Sequence, residues 1–370
     1  MTQDDLARQI PVVGDGSGSE ADPRFHREEL QLASRNHAIP LEALRYDITP
    51  PGLHYTLIHY DIPQVETTIW RLRVGGEVER PLSLSLDDLM RHPEVRQPIT
   101  IECAGDGRAY TSPRAISQPW LTGAVGNAEW TGTPLRAVLE EAGPRGSAVD
   151  VVFTGLDRGF EGGIEQEYQR ALSVADAMAH DVLLAWGMNG QPLPPQHGYP
   201  LRLVTPGWYG MAHVKWLGGI EILPTRFAGY QHTAYQYTDD RAKVGQPVER
   251  MRVRSLMVPP GIPDFLTRTR IVDRGLVALE GRAWSGEADV AGVEVSVDGG
   301  SSWSAADLDG SGGPRAWRRW RFTWTADNLG TYELVCRARD AGGGVQPVEQ
   351  AWNARGMGNN MAHRVTVIVR

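Results

Sequence analysis

Hydrophobic and polar positions change rhythm about two-thirds of the way along the chain. In the first part, strand-like and helix-like spacings are mixed. TTIWRLRVGG at 67–76 alternates and predicts a strand, and LSLDDLMRHP at 84–93 predicts a helix opened by Ser or Asp. PLRAVLEEAG predicts a helix over 135–142 with Pro134 suited to its first turn. VDVVFTGLD at 149–157 predicts a strand, LSVADAMAH at 172–180 a helix, and DVLLAWGMNG at 181–190 a buried strand entering a turn. YPLRLVTPG and VKWLGGIEIL then supply strand, loop and strand. The class is α+β, a mixed α/β layer without regular βαβ spacing. After the punctuating VPPGIP, only short strands follow: LVALEGRAW, VAGVEVSVDGG, WRRWRFTW, TYELVCRARD and HRVTVIVR. Gly, Pro, Asp and Ser divide them, which predicts a β-sandwich of roughly a hundred residues. DGG at 298–300 predicts a tight hairpin turn. The expected organisation is an N-terminal arm at 1–44, a catalytic domain at 45–240, a linker at 241–262 and the sandwich at 263–370. The polar, Gly/Ser/Asp-rich first 30 residues or so read as a loose arm with one short helix.

Composition narrows the function classes. A chain of 370 residues, 41% hydrophobic, is long enough for two cores. Lys and Arg total 37 against 45 acids, a formal charge of -8, so there is no global basic footprint for nucleic acid. A small anionic substrate stays open, because a few arginines set the potential inside a pocket. The two cysteines, Cys103 and Cys336, lie in different halves and argue against a disulfide-built scaffold. No CxxC pair offers a zinc, iron–sulfur or c-type haem site. The opening residues show no basic, then apolar, secretory pattern, and no run of 18 apolar residues could span a membrane. The expectation is a cytoplasmic protein with neither nucleic acid nor membrane as partner.

Two stretches can carry chemistry. IECAGDGRAY at 101–110 puts Cys103 between an apolar strand and a turn. A thiolate there suits a soft transition metal, yet a lone cysteine is usually a small buried hydrophobe, and a nucleophile paired with a histidine is a third option. MNGQPLPPQHGYPLRLVTPGWYGMAHVKWLGG at 188–219 gathers His197, Arg202, His213 and Lys215 among many Gly and Pro residues. Such a set suits a phosphate-bearing cofactor, and ordinary turns and surface charge are the competing account.

IECAGDGR resembles the CAGNRR segment of sulfite oxidases and plant nitrate reductases, where the cysteine sulfur binds molybdenum. LLAWGMNGQPLPPQHGYPLRLVTPGWYGMAHVKWLG is similar to the same family's long cofactor-binding run, and GRAWSG, VAGVEVSVDGGSSW and WNARGMGNNMAHRV resemble its sandwich domain, which often dimerises. The resemblance covers residue 45 or so to the end. It implies a molybdopterin domain of the sulfite oxidase type, an immunoglobulin-like β-sandwich and a homodimer. Carried over by position, Cys103 is the thiolate on molybdenum, His197 and Arg202 hold the molybdopterin phosphate, and Lys215 sits near the pterin. His59, in LHYTLIHYDIP, then contacts the cofactor; on its own it reads as a hydrogen-bonded core histidine. On the substrate side the resemblance implies Arg108 and Arg364 around an oxyanion, with Trp120 and Tyr235 as neighbouring aromatics. Alone, Tyr235 reads equally well as a loop aromatic.

The chain departs from that pattern. The letters RNH at 35–37 invite placing a substrate arginine at Arg35, but that position lies too far before Cys103; the matching residue is Leu57. Ala212 stands where many relatives carry another arginine, and Asp106-Gly107 replaces Asn-Arg. Losing one charge-assisted contact to a buried anion costs about 2–5 kcal/mol unless it is replaced. Arg158, Arg170, His213 and His232 are the candidates to compensate. The implied activity is oxygen-atom transfer, with sulfite oxidation to sulfate leading and reduction of an oxyanion or S-oxide as the reverse. A cofactor-free binding module that keeps the fold, and a cysteine hydrolase, are the other classes. No haem or flavin segment is evident, so a separate electron carrier is expected at a small, transient interface.

Overall fold

The structure is a computed structural model that describes residues 26–240, 243–310 and 313–370. The first ten strands are β1 (Leu72–Gly76), β2 (Leu82–Leu84), β3 (Val95–Glu102), β4 (Val125–Pro134), β5 (Asp150–Glu161), β6 (Ile164–Ser173), β7 (Leu183–Met188), β8 (Gln191–Pro192), β9 (Arg202–Val204) and β10 (Leu217–Leu223). They make two sheets. One runs in the order β2-β1-β10-β5-β6, with β1 and β10 parallel and the other pairs antiparallel. The second runs β3-β4-β7-β8, with β9 also on β7, and is antiparallel throughout. Every residue of β7 is buried, which is why that strand reads as an unbroken apolar run rather than an alternation.

Five α-helices lie among the described residues: α1 (Arg27–Arg35), α2 (Leu86–Leu89), α3 (Leu135–Ala142), α4 (Val174–Ala177) and α5 (Tyr230–Ala234). In α3, Leu135, Val138, Leu139 and Ala142 recur at helical spacing and join the core formed by Leu72, Val74, Phe153, Leu184 and Ile222. Gly143, at φ 69°, ends α3 in the left-handed conformation glycine tolerates. A capping box between Ser85 and Asp88 opens α2. The helix expected over 172–180 shrinks to α4, because Leu172 stays in register on β6 and the Ser173 hydroxyl caps the turn by accepting from the Asp176 N–H.

The remaining strands are β11 (Gln236–Tyr237), β12 (Gln246–Pro247), β13 (Arg254–Met257), β14 (Ile262–Pro263), β15 (Arg270–Val272), β16 (Gly275–Trp284), β17 (Val290–Ser296), β18 (Ser304–Ala305), β19 (Asp307–Leu308), β20 (Arg318–Ala326), β21 (Gly330–Asp340) and β22 (His363–Val369). Two sheets, β13-β16-β20-β19 and β14-β15-β22-β21-β17-β18, form a sandwich around Leu279, Trp320, Trp324, Val293, Leu334 and Val367. Gly299 and Gly300 take positive φ at the expected DGG turn.

One boundary differs from the sequence reading. The segment read as a linker, 241–262, contains β13, which is wholly buried and pairs with β16 in the register Arg254↔Trp284. Its side chains have a sheet to join, so the sandwich begins inside that stretch. The described part of the arm is anchored to the first domain. Glu29 on α1 is fully buried and ion-pairs with Arg114 at 2.6 Å. Asn36 donates to Gln118 Oε1 (3.0 Å) and accepts from the Ile58 N–H (2.8 Å), while His37 and Thr56 exchange backbone hydrogen bonds. The rest of the arm, residues 1–25, lies outside the described residues. Among the described residues no helix is long and apolar enough to cross a membrane.

Candidate active site

β3 delivers Cys103 to the floor of a cleft with about 620 Å³ of empty space. The strand ends at Glu102, and the Cys103 N–H then donates to the Ala124 carbonyl at 2.8 Å, so the thiol is fixed where the sheet stops. Gly105 lets the chain fold under its neighbour: a Cβ there would lie 2.7 Å from the Arg108 guanidinium. Gly210 brings another backbone against the thiol, since its Cβ would meet the Tyr55 hydroxyl at 2.4 Å and the Cys103 Cα at 3.6 Å. Burial pushes the thiol up to about 11, opposed by the Gly105 backbone N–H, the Arg108 charge and the nearby Trp120 indole, whose N–H has no hydrogen-bond partner of its own. Among the described residues no histidine hydrogen-bonds to Cys103. A cysteine hydrolase needs that base, so its arrangement is not present.

The same cleft gathers more bases than acids: Asp157 is the one carboxylate among its described lining residues, and it lies near Lys215 without forming a salt bridge. His54, His197, Arg202 and Lys215 line the cleft. The His54 and His197 rings meet edge to face at 5.2 Å, and Arg202 stacks over Trp130 at 4.9 Å. Lys215 donates to the carbonyls of Leu57 (2.7 Å) and Gln196 (3.1 Å). Burial, compounded by mutual repulsion in the cluster, lowers His54 to about 4, His197 to about 2 and Lys215 to about 7; burial alone lowers Arg202 to about 10. The buried Nε2 of His197 and Nε of Arg202 have no hydrogen-bond partner. Orphaned buried donors and unpaired bases are costly unless an anion completes them. The donor set therefore fits the phosphate end of a pterin cofactor. Among the described residues no three His, Cys, Asp or Glu side chains converge as an all-protein metal site.

Tyr235 closes another side. It follows α5, and its hydroxyl lies 2.9 Å from His59 Nε2. Burial and the Lys215, Arg35 and Arg170 charges hold His59 neutral, near 3, and burial raises Tyr235 above its usual value. The Arg170 guanidinium sits 5.5 Å from the Tyr235 ring centre and donates to the Gln231 carbonyl at 2.8 Å. Arg108 is buried; its Nε donates to the Arg355 carbonyl (3.1 Å) and its Nη1 to the Gln118 carbonyl (3.2 Å).

Residues 59–231 match the model of the oxidoreductase molybdopterin binding domain, and residues 246–370 match the Mo-co oxidoreductase dimerisation domain. Sulfite oxidase of Gallus gallus is 35% identical over 86% of this chain and 72% of its own length. The chain belongs to the sulfite oxidase family of molybdenum-cofactor oxidoreductases. The mitochondrial sulfite oxidase of Homo sapiens is 37% identical over 87% of this chain; the match spans 62% of that relative's length. Among solved structures, the sulfane dehydrogenase SoxCD of Paracoccus pantotrophus superposes with a TM-score of 0.77 at 26% identity, covering 100% of both chains.

For a member of this family, the structure gathers Cys103, His59, His197, Arg202, Lys215 and Tyr235 around one cleft, with Trp120 and Arg108 against the Cys103 loop. It does not bring Arg364 there. Arg364 pairs with Glu333 (2.8 Å) and Glu349 (2.9 Å) on the face of β22, and this corrects the expected substrate role. The sandwich residue whose backbone meets Arg108 is Arg355, in the preceding Gly-rich loop. Leu57 lines the cleft, as its alignment implied. Ala212 instead packs in the core of the first domain and does not line the cleft. Of the four compensating candidates, Arg170 is buried beside Tyr235. Arg158 pairs with Glu165 at the surface, His232 is exposed, and His213 is held between the Thr205 N–H and the Trp208 carbonyl. Arg35, read as a sequence decoy, reaches the rim through a 3.2 Å hydrogen bond to the His59 carbonyl. The sequence reading missed His54 and the contact of the Arg355 backbone with Arg108.

Proposed function

We propose that this chain is a molybdenum-dependent oxidoreductase that moves an oxygen atom to or from a small substrate, with oxidation of sulfite to sulfate as the leading reaction. One observation carries the reading: the Cys103 thiol opens into the same cleft as four basic side chains, three of them buried, that make no salt bridge among the described residues and face a single carboxylate, Asp157. Cys103 would be the protein's ligand to molybdenum. His54, His197, Arg202 and Lys215 would hold the molybdopterin phosphate, with His59 at its edge. When bound, the group supplies two-electron redox chemistry and exchange of an oxygen atom. The chain supplies binding, orientation and field. The Trp120 N–H and the Arg108 charge favour the thiolate. Arg108, with Arg170 behind Tyr235, keeps the substrate side positive and favours an oxyanion there. With the neutral His59 donating from Nε2, the Tyr235 hydroxyl is free to donate into the cleft and to hold a substrate oxygen. A cofactor-free module would have to keep four bases in a cleft with only Asp157 to balance them, which counts against that class. Electrons would pass to a separate carrier, and the sandwich would pair two copies of the chain.

A second reading rests on Leu57. An aliphatic side chain in the wall where an arginine is expected removes positive charge from the pocket. That favours a less charged substrate, such as an S-oxide reduced at the same site. Protein made in a cofactor-competent host, assayed for molybdenum, pterin and turnover, tests both. The parent should carry metal and pterin, and Cys103→Ser should stay folded yet lose turnover. A cofactor-replete parent without molybdenum, or a fully active Cys103→Ser, would overturn the reading. Sulfite assayed with an electron acceptor, against S-oxides assayed with an electron donor, separates the two substrates.

A further inference from the structure

The sandwich domain reaches beneath the loop that carries Cys103. Arg254, the first residue of β13, is fully buried, and its Nη1 lies 2.5 Å from Glu102 Oε1, 3.0 Å from Asp106 Oδ2 and 2.9 Å from the Asn359 carbonyl. Glu102 and Asp106 flank Cys103 in sequence. Trp284, paired with Arg254 across β16, donates its indole N–H to Glu102 Oε2 at 2.8 Å. Asp106 Oδ1 in turn accepts from the Ala124 N–H, the residue whose carbonyl holds the Cys103 N–H. The contacts continue along the loop. The Gly358 N–H donates to the Ala104 carbonyl at 2.6 Å, and Asn359 Nδ2 to the Gly107 carbonyl at 2.7 Å. Gly107 sits at φ 82°, and a Cβ on it would press to 3.0 Å on Asn359.

We propose that Arg254 is a positioning residue for Cys103: through its buried pairs with Glu102 and Asp106, the sandwich domain holds the 102–108 loop in the geometry a metal ligand requires. The sandwich is thus part of the redox site as well as a surface for a second copy. A single cation bridging two carboxylates is directional only while both pairs are made, and removing it leaves buried charges without a partner, which forces the loop to open or rearrange. The proposal rests on the reading of Cys103 as ligand, and the molybdenum content of the parent tests that reading separately.

The test uses the full chain without cofactor, from a host unable to make it. Iodoacetamide labelling resolved by peptide mapping reads Cys103, and amide hydrogen exchange reads 102–108 alongside β16 and β20. Arg254→Met should raise Cys103 labelling and exchange at 102–108 by about tenfold or more, with β20 unchanged. Adding Glu102→Gln and Asp106→Asn removes the unpaired charges and should recover melting temperature without recovering Cys103 protection. In cofactor-loaded protein, Arg254→Met should shift the molybdenum EPR signal. If Arg254→Met does not fold, Trp284→Phe removes the indole donor together with some buried ring volume and should raise Cys103 labelling several-fold while exchange in β20 stays at the parental rate. Labelling at the parental rate, or equal loosening of both domains, would overturn the proposal.

Discussion

Lys215 gives the sharpest check on the unpaired bases. Its ammonium has two carbonyl acceptors, yet burial and the Arg202 charge bring it from the usual 10.5 to about 7. In the unfolded chain the amine keeps its proton up to about 10.5; in the folded chain it gives the proton up near 7. Between those values the unfolded state binds more protons, so raising the pH favours the folded state. Below 7 both states are charged and the destabilisation is complete; above 10.5 it is gone. At 1.36 kcal/mol per pKa unit the drop corresponds to roughly 5 kcal/mol, and water reaching the half-buried ammonium reduces this to about 2–3 kcal/mol. Lys215→Met abolishes the titration but leaves two carbonyls without their donor, at about 1–3 kcal/mol. In cofactor-free protein the variant should therefore be less stable than the parent near pH ~10, and the gap should close by about 2–3 kcal/mol near pH ~6. Urea unfolding of both proteins across that range measures the difference. A gap that does not change with pH would refute the account of the cluster. With cofactor bound the anion adds to the partial counter-charge that Asp157 provides, so the variant should retain pterin about tenfold less well or worse.

Other perturbations separate the remaining roles. Tyr235→Phe should lower turnover by about 10²-fold while changing stability by under about 1.5 kcal/mol, read by steady-state kinetics and thermal melts. Leu57→Arg should lower KM for sulfite by about tenfold or more, and an unchanged KM would show that the side chain does not face the substrate. Arg364→Ala should leave turnover unaltered and cost about 1 kcal/mol or less, its pairs being largely solvated, as steady-state kinetics and thermal melts would read.

Much of the site was legible because its residues sit in stretches with a strong local signature. Cys103 follows an apolar strand and precedes a turn, and the Gly/Pro-rich run around His197, Arg202 and Lys215 invites close approach of backbone to a ligand. The Arg364 error had a signal that was not used. HRVTVIV alternates, His363, Val365, Val367 and Val369 face the core, and position 364 is forced outward by period two. Arg355, in a stretch with no such alternation, is free of that constraint. The same rule exposes Arg170: on β6 it shares the inward face with Tyr168 and Leu172, and a charge in a buried register asks for a partner. The clamp on Glu102 by Arg254 was out of reach, because residues 152 apart in sequence meet only through the packing of one domain on the other.

The wall of the cleft that bears Leu57 and His59 is stapled from outside by a short stretch ahead of it. Asn36 holds the Ile58 N–H, His37 bridges Thr56, and Arg35 ties the His59 carbonyl. A recombinant protein begun at residue 45 would keep every residue assigned to cofactor or substrate and still lose these contacts to the wall that bears Leu57. Trimming that prefix is therefore a change to the specificity pocket made from a distance.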